Sequence, residues 1–119
     1  MNSDFLKPLS EEVLERMASC PENSMAQFVE VHSEEKGFPS IENVSIAIVG
    51  VQDGRGAVNN DTTGYGVDAI RNYLYTLYPG NWGMRIVDLG NIAPGATLSD
   101  THFALKSVVS SLVKKDVLP

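Results

Sequence analysis

The stretch VSIAIVGV, residues 44–51, decides the fold class of this chain. It is short, almost wholly apolar and rich in β-branched residues, and it lacks the apolar–polar alternation of a strand with one face in water. Such a run is typical of a strand covered on both faces, as in a parallel sheet. We therefore predict a buried strand at this position.

Helices and strands alternate after this strand. Residues 64–77 carry apolar side chains at helical spacing, and residues 84–90, MRIVDLG, predict a second buried strand. Ser99 is expected to cap a further helix that ends near Lys115. This order predicts an α/β fold with a parallel sheet. A third strand would begin near Val117, so we expect the chain to be a fragment of a larger domain.

The first forty residues differ from the rest of the chain. Ser10 is a good N-cap for a helix over residues 11–19, and residues 24–37 predict a second, weaker helix or an extended segment. We therefore divide the chain into a helical N-terminal arm, residues 1–40, and a βαβα unit, residues 41–119.

Composition excludes two classes of partner. The net charge is −6 and the 9 Lys and Arg residues are scattered, which argues against a nucleic-acid surface. No apolar run is long enough to span a bilayer. The single cysteine, Cys20, has no partner for an internal disulfide, so we expect a cytoplasmic protein with an inert thiol.

A dinucleotide-binding motif is the sharpest short match in the chain. GYGVDA, residues 64–69, satisfies G-x-G-x-x-A, and Asp88 follows at the spacing of a ribose-binding carboxylate. The motif needs its glycines directly after a strand, however, and here a long polar segment separates them from Gly50. A small nucleotide-binding, Rossmann-like module is therefore an alternative to the main interpretation.

Metal-binding residues do not form a recognisable group in the sequence. His32 and His102 are the only histidines, and neither has a His or Cys partner at ligand spacing. Asp53, Asp61 and Asp88 have suitable oxygens, but carboxylates in loops more often cap backbone donors than bind metals.

Tyrosines surround the helix predicted over residues 64–77. Such a cluster usually marks packing or a subunit contact. Its members are Tyr65, Tyr73, Tyr75 and Tyr78.

Four segments in order carry a resemblance to a known family: IVGV, GVDAIR, RIVDLGNI and VLP. Together they resemble the N-terminal portion of the ureohydrolase superfamily, which contains arginase, agmatinase and formimidoylglutamase. The similarity is greatest to the formimidoylglutamase-like branch, and it extends over residues 43–119.

The individual matches are short. The family's first strand ends in a Gly-Val-Pro-like turn, matched here by Gly50 and Val51, with Gln52 in place of proline. Its next helix opens Gly-Pro-x-x-Ile-Arg, matched by Gly66, Ala69, Ile70 and Arg71, with Val67 in place of proline. The Asp-Leu-Gly-Asn/Asp motif of its second strand is intact at Asp88, Leu89, Gly90 and Asn91.

The resemblance implies a fold and a chemistry. Family members are three-layer α/β/α hydrolases that use bridging manganese ions to hydrolyse non-peptide C–N bonds in linear amidines. Their metal ligands lie in later motifs that this chain lacks, so no catalytic residue, metal ligand or cofactor is assigned here, and the chain alone is expected to be inactive. The glycine-rich loop between the first strand and the next helix would lie on the rim of the active site, and we expect Asn59, Asn60 and Asp61 to point toward that rim.

The resemblance also bears on partners. The expected partners are a second copy or the missing C-terminal part, with a small amidine as the substrate of the parent protein. A non-catalytic scaffold or oligomerisation domain, which completes its sheet by pairing with another chain, is a further alternative.

Overall fold

Strand β4 (Ile86–Ile92) lies at the centre of a mixed four-stranded sheet in the computed structural model, which describes residues 3–55, 66–81 and 83–119. These ranges contain three α-helices, so the predicted α/β class is confirmed. The other elements are β1 (Leu6–Lys7), α1 (Glu11–Ala18), β2 (Glu30–Val31), β3 (Ile46–Val51), α2 (Gly66–Leu74) and α3 (Leu98–Lys114), with 3-10 turns at Ser3–Phe5 and Met25–Gln27.

Both edges of β4 are paired. β3 runs parallel to it along one edge, with Ile46 opposite Ile86. On the other edge β2 pairs in parallel with the first half of β4, and β1 pairs antiparallel with the second half. The predicted parallel pairing holds for β3 and β4, but the sheet as a whole is mixed because β1, one of two short strands from residues 1–40, pairs antiparallel with β4.

The far edge of β3 carries a single parallel bridge. Leu118 donates its backbone N–H to Ser45 O at 3.0 Å and accepts from Ala47 N at 2.9 Å. Within the described ranges, no other residue pairs with this edge of the strand. The position agrees with the strand that the sequence predicts near Val117.

Two apolar clusters hold the elements together. One joins α3 to the sheet and contains Leu89, Ile92, Val108 and Leu112 among others. The second joins α1 to the sheet and to the end of α2, and it contains Leu9, Val13, Met17 and Tyr75. Burial of these side chains stabilises the fold by about 1.5–3 kcal/mol for each large one.

A bulge at Gly90 changes which way the residues of β4 face. Ile48 lies opposite Asp88, but Gly50 lies opposite Asn91, so β4 has one residue more than β3 between these pairs. Gly90 absorbs the extra residue at φ +92°, a conformation that favours glycine. Side-chain alternation is therefore reset, and Asp88 and Asn91 point to the same side of the sheet.

The ends of two helices differ from the sequence prediction. The helix predicted over residues 64–77 is helical from Gly66, where the described residues resume, and ends at Leu74 instead of residue 77. The N-cap of α3 is Thr97 instead of Ser99, since Thr97 and Asp100 form a reciprocal capping box. No helix in the described part of the chain is both long and apolar enough to cross a membrane.

Candidate functional site

The guanidinium of Arg71 is the centre of a buried polar cluster. It donates from Nε to Asp88 Oδ2 at 2.8 Å and from Nη2 to Asp88 Oδ1 at 2.9 Å, the planar two-point geometry of a strong Arg–carboxylate pair. Nη1 donates to Asn91 Oδ1, and Nη2 also donates to Gly90 O at 3.1 Å. One arginine on α2 therefore binds three residues at the β4 bulge, Asp88, Gly90 and Asn91.

Asp88 has further donors. The hydroxyl of Tyr75 donates to Oδ2, and the backbone N–H of Gly90 donates to Oδ1 at 3.0 Å. Burial and the neighbouring Asp88 charge raise the pKa of Tyr75 above its usual range, so its hydroxyl stays a neutral donor. Burial by itself would lower the pKa of Arg71, but the hydrogen bonds to Asp88 and its negative charge outweigh burial, so the pKa of Arg71 is raised above its usual value.

Local sequence explains how these groups meet. Arg71 and Tyr75 are four residues apart and so lie on one side of α2 and the turn that follows it. The bulge brings Asp88 and Asn91 to the facing side of β4. Gly50 leaves room for the contact between Arg71 and Asn91, because a Cβ at position 50 would overlap Asn91 Oδ1 and lie 2.9 Å from Arg71 Nη1.

The cluster is closed to ligands. Arg71, Tyr75, Asp88 and Asn91 are each at most 4% exposed. Its charges are matched, one cation against one carboxylate, as a buried ion pair requires. The nucleotide-binding alternative needs Asp88 as a ribose ligand, and this carboxylate is fully buried with both oxygens occupied, so that role is excluded by the geometry.

A second polar cluster lies at the carboxyl end of β3. Arg55 donates to Asp53 through Nε at 2.9 Å and through Nη2 at 2.6 Å. Thr101, in the first turn of α3, donates its hydroxyl to Asp53 Oδ2 at 2.6 Å and accepts from Gly95 N at 2.8 Å. Arg55 Nη2 also donates to Gly95 O at 2.8 Å. The segment after β3 is thus bonded to the segment after β4.

Electrostatics in this cluster follow from the contacts. Hydrogen bonds from Arg55 and Thr101 hold the pKa of Asp53 well below its usual range, and the same carboxylate raises the pKa of Arg55. The Asp53 side chain is buried, whereas that of Arg55 is 40% exposed. The carboxyl ends of parallel strands are where α/β folds bind ligands, so this cluster shapes the edge at which a ligand would sit.

The predicted rim residues Asn59, Asn60 and Asp61 lie outside the described residues. So do Gly64, the first residue of the nucleotide motif, and Tyr65, which belongs both to that motif and to the tyrosine cluster.

Other residues singled out from the sequence have structural contacts. His32 Nδ1 lies 2.9 Å from Leu89 O, and its ring packs edge-on against Phe38. Cys20 donates its thiol to Arg16 O at 3.2 Å, and His102 is exposed. Among the residues that the structure describes, no three His, Cys, Asp or Glu side chains form a group that could hold a metal ion.

Sequence reasoning matched Arg71 and Asn91 to family motifs but did not identify the cluster they form. It also missed Arg55 and Thr101. The signal available for Thr101 was a possible N-cap at Thr97, which places Thr101 one turn into the helix. Two of the apolar residues that predicted the helix, Ile70 and Leu77, are instead exposed.

A scan against protein-family models, a search of curated proteins and a search of solved structures each find no match for this chain.

Proposed function

We propose that this chain is the front part of an α/β domain of the ureohydrolase type, the class of arginase, agmatinase and formimidoylglutamase. The observation that carries the proposal is the contact of Arg71 with Asp88 and Asn91. Arg71 belongs to one matched segment, and Asp88 and Asn91 belong to another. Their contact supports treating the two segments as one motif.

The packing around the sheet is compatible with the finer fold. α3 contributes to one apolar cluster, and α1 and Tyr75, which follows α2, contribute to the other. In the proposed architecture these are the two outer layers of a three-layer arrangement. Residues 41–119 form its front part, and residues 1–40 precede it as an arm that also contributes edge strands.

The described residues do not fit a manganese ion. Asp88 is enclosed by Arg71 and Tyr75, and Asp53 is bound by Arg55 and Thr101. Neither carboxylate has a His or Asp neighbour arranged to share a metal within the described ranges. We therefore assign no catalytic step to this chain and propose that the chain alone does not hydrolyse linear amidines.

The role that remains is to build one side of the substrate rim. The Asp53–Arg55–Thr101 cluster anchors the start of the glycine-rich segment, and Asn59, Asn60 and Asp61 of that segment are the proposed rim residues. The proposed partner is the C-terminal part of such an enzyme, supplied within a cytoplasmic parent protein. It would pair beyond Ile46 on the far edge of β3, where no strand lies among the described residues.

A split-enzyme assay tests this function. The chain is incubated with manganese and with arginine, agmatine or formimidoylglutamate, first alone and then with the C-terminal parts of an arginase, an agmatinase and a formimidoylglutamase. We expect turnover only in a mixture, with each C-terminal part alone as the control. Turnover by the chain alone would contradict the assignment of no catalytic residue. Failure to bind or activate any of the three parts would contradict the family.

A further inference from the structure

The outward side of α2 and the turn after it form an uncommonly apolar surface. Ile70, Tyr73 and Leu77 are 66%, 79% and 55% exposed. Helical-type turns continue past Leu74, since Thr76 N donates to Tyr73 O at 3.2 Å and Leu77 N to Leu74 O at 3.2 Å. The three side chains therefore lie in one row at the spacing i, i+3, i+7. We call this row the α2 face.

The α2 face continues onto neighbouring segments. A groove of about 350 Å³ begins at Tyr78, the residue after Leu77, and is lined by Phe28, Tyr78 and Met84, whose side chains are also exposed. Aromatic side chains bury about 150–250 Å² each on packing, so the exposed parts of Phe28, Tyr73 and Tyr78 alone amount to roughly 300–500 Å². With the aliphatic side chains, the area approaches the ~800 Å² that each partner buries in a standard interface.

The row of Ile70, Tyr73 and Leu77 contains no charged side chain. The only charged residues in the sequence between positions 66 and 78 are Asp68 and Arg71. Arg71 points into the buried cluster, and one carboxylate oxygen of Asp68 is itself buried. Two copies of a chain with net charge −6 repel each other over most of their surface, but not where the α2 faces meet.

We propose that two copies of this chain pair through their α2 faces, antiparallel and about a two-fold axis near Tyr73. A row with an apolar residue at each end is self-complementary under such an axis, because Ile70 of one copy then meets Leu77 of the other. The groove at Tyr78 receives the end of the opposing helix. This inference is independent of the ureohydrolase proposal, since it uses none of the matched polar residues.

Sedimentation equilibrium over a wide concentration range tests the pairing. The wild-type chain is expected to form a dimer, and Tyr73→Glu to weaken it at least tenfold by placing two like charges at the axis. Val113→Glu is the matched control, because Val113 is a comparably exposed apolar residue, 57%, on α3. Circular dichroism and urea unfolding check that both variants keep their fold.

Cross-linking locates the axis. In a Cys20→Ser background, a short bismaleimide is expected to join two copies of Tyr73→Cys but not two copies of Ser110→Cys, which is exposed on α3. A wild-type monomer at every concentration would overturn the proposal. So would a dimer that Tyr73→Glu leaves intact, or open-ended assembly in place of a closed dimer.

Discussion

Arg71 and Asp88 form a two-point ion pair, with N–O distances of 2.8 and 2.9 Å, between a helix and the bulged central strand of the sheet. The side chains of Arg71 and Asp88 are 3% and 0% exposed. Removing one partner of such a pair leaves the other charge buried without compensation, whereas replacing both by apolar residues avoids that penalty. The pair is therefore best tested by comparing single and double substitutions.

Asp88→Asn is expected to lower the free energy of unfolding by about 3–5 kcal/mol, because it leaves the Arg71 guanidinium buried without its counter-ion. Glu30→Gln is the matched control. It removes the carboxylate of the half-exposed Arg85–Glu30 pair, at 2.8 Å, and should cost less than about 1 kcal/mol. Urea unfolding measures both. Equal costs at the two sites would show that burial does not set the strength of these pairs.

The double variant Arg71→Met with Asp88→Leu separates pair energy from packing. We expect it to cost clearly less than the sum of its two single substitutions, because each single variant alone strands a buried charge. Additive costs in a double-mutant cycle would mean that the two residues act independently.

Gly90→Ala is expected to detach β1 from β4. Gly90 has φ +92°, and a Cβ there would overlap the carbonyl oxygen of Lys7 in β1. Gly37→Ala isolates the backbone contribution, since Gly37 has φ +75° but nothing within 4 Å of the added Cβ, and should cost about 1–2 kcal/mol. Urea unfolding and amide exchange of β1 compare them. Equal loss of stability, with β1 still protected, would rule out the proposed clash.

Elements with a strong local pattern were predictable from the sequence. The apolar run at residues 44–51 and the MRIVDLG segment became β3 and β4, because short apolar, β-branched runs favour strands. The predicted burial holds along β4, whereas most residues of β3 are only half-buried. The pairing of β1 and β2 was not predictable, since strands of two residues carry no periodicity and depend on β4 for their register. The N-cap at Thr97 could have been predicted from the three-residue spacing of Thr97 and Asp100, which is that of a capping box. Ser99 is also a favourable N-cap residue and was predicted in its place.

The buried cluster was less accessible to sequence reasoning. A helical arginine is exposed in most proteins, so Arg71 gives no sign of burial by itself. Its partners lie 17 and 20 residues further on, and both face it only because of the bulge at Gly90. A bulge depends on the partner strand, and the hydrophobic pattern of β4 does not reveal it.

Tyr75 is expected to make the folded state less stable at high pH. Burial and the Asp88 charge raise the pKa of Tyr75 in the folded state, while the unfolded value stays near ~10. Above about pH 10 the unfolded chain releases this proton and the folded chain keeps it, so stability falls by up to ~1.4 kcal/mol per pH unit. Tyr75→Phe should remove this contribution to the slope. Tyr73→Phe, at an exposed position, should leave it unchanged, and urea unfolding from pH 8 to 11 compares the variants.

Asp53 is expected to make the folded state less stable at low pH. The hydrogen bonds from Arg55 and Thr101 lower the pKa of Asp53 in the folded state below the unfolded value of about 3.9. Its contribution is therefore present above that unfolded pKa and is lost as the pH falls through the folded pKa. Asp53→Asn should flatten the fall in stability between about pH 5 and pH 2, and Thr101→Val should flatten it partly. Glu35→Gln, at an exposed carboxylate, is the control. If stability falls as steeply between about pH 5 and pH 2 in Asp53→Asn as in the wild type, the cluster does not hold the two segments together.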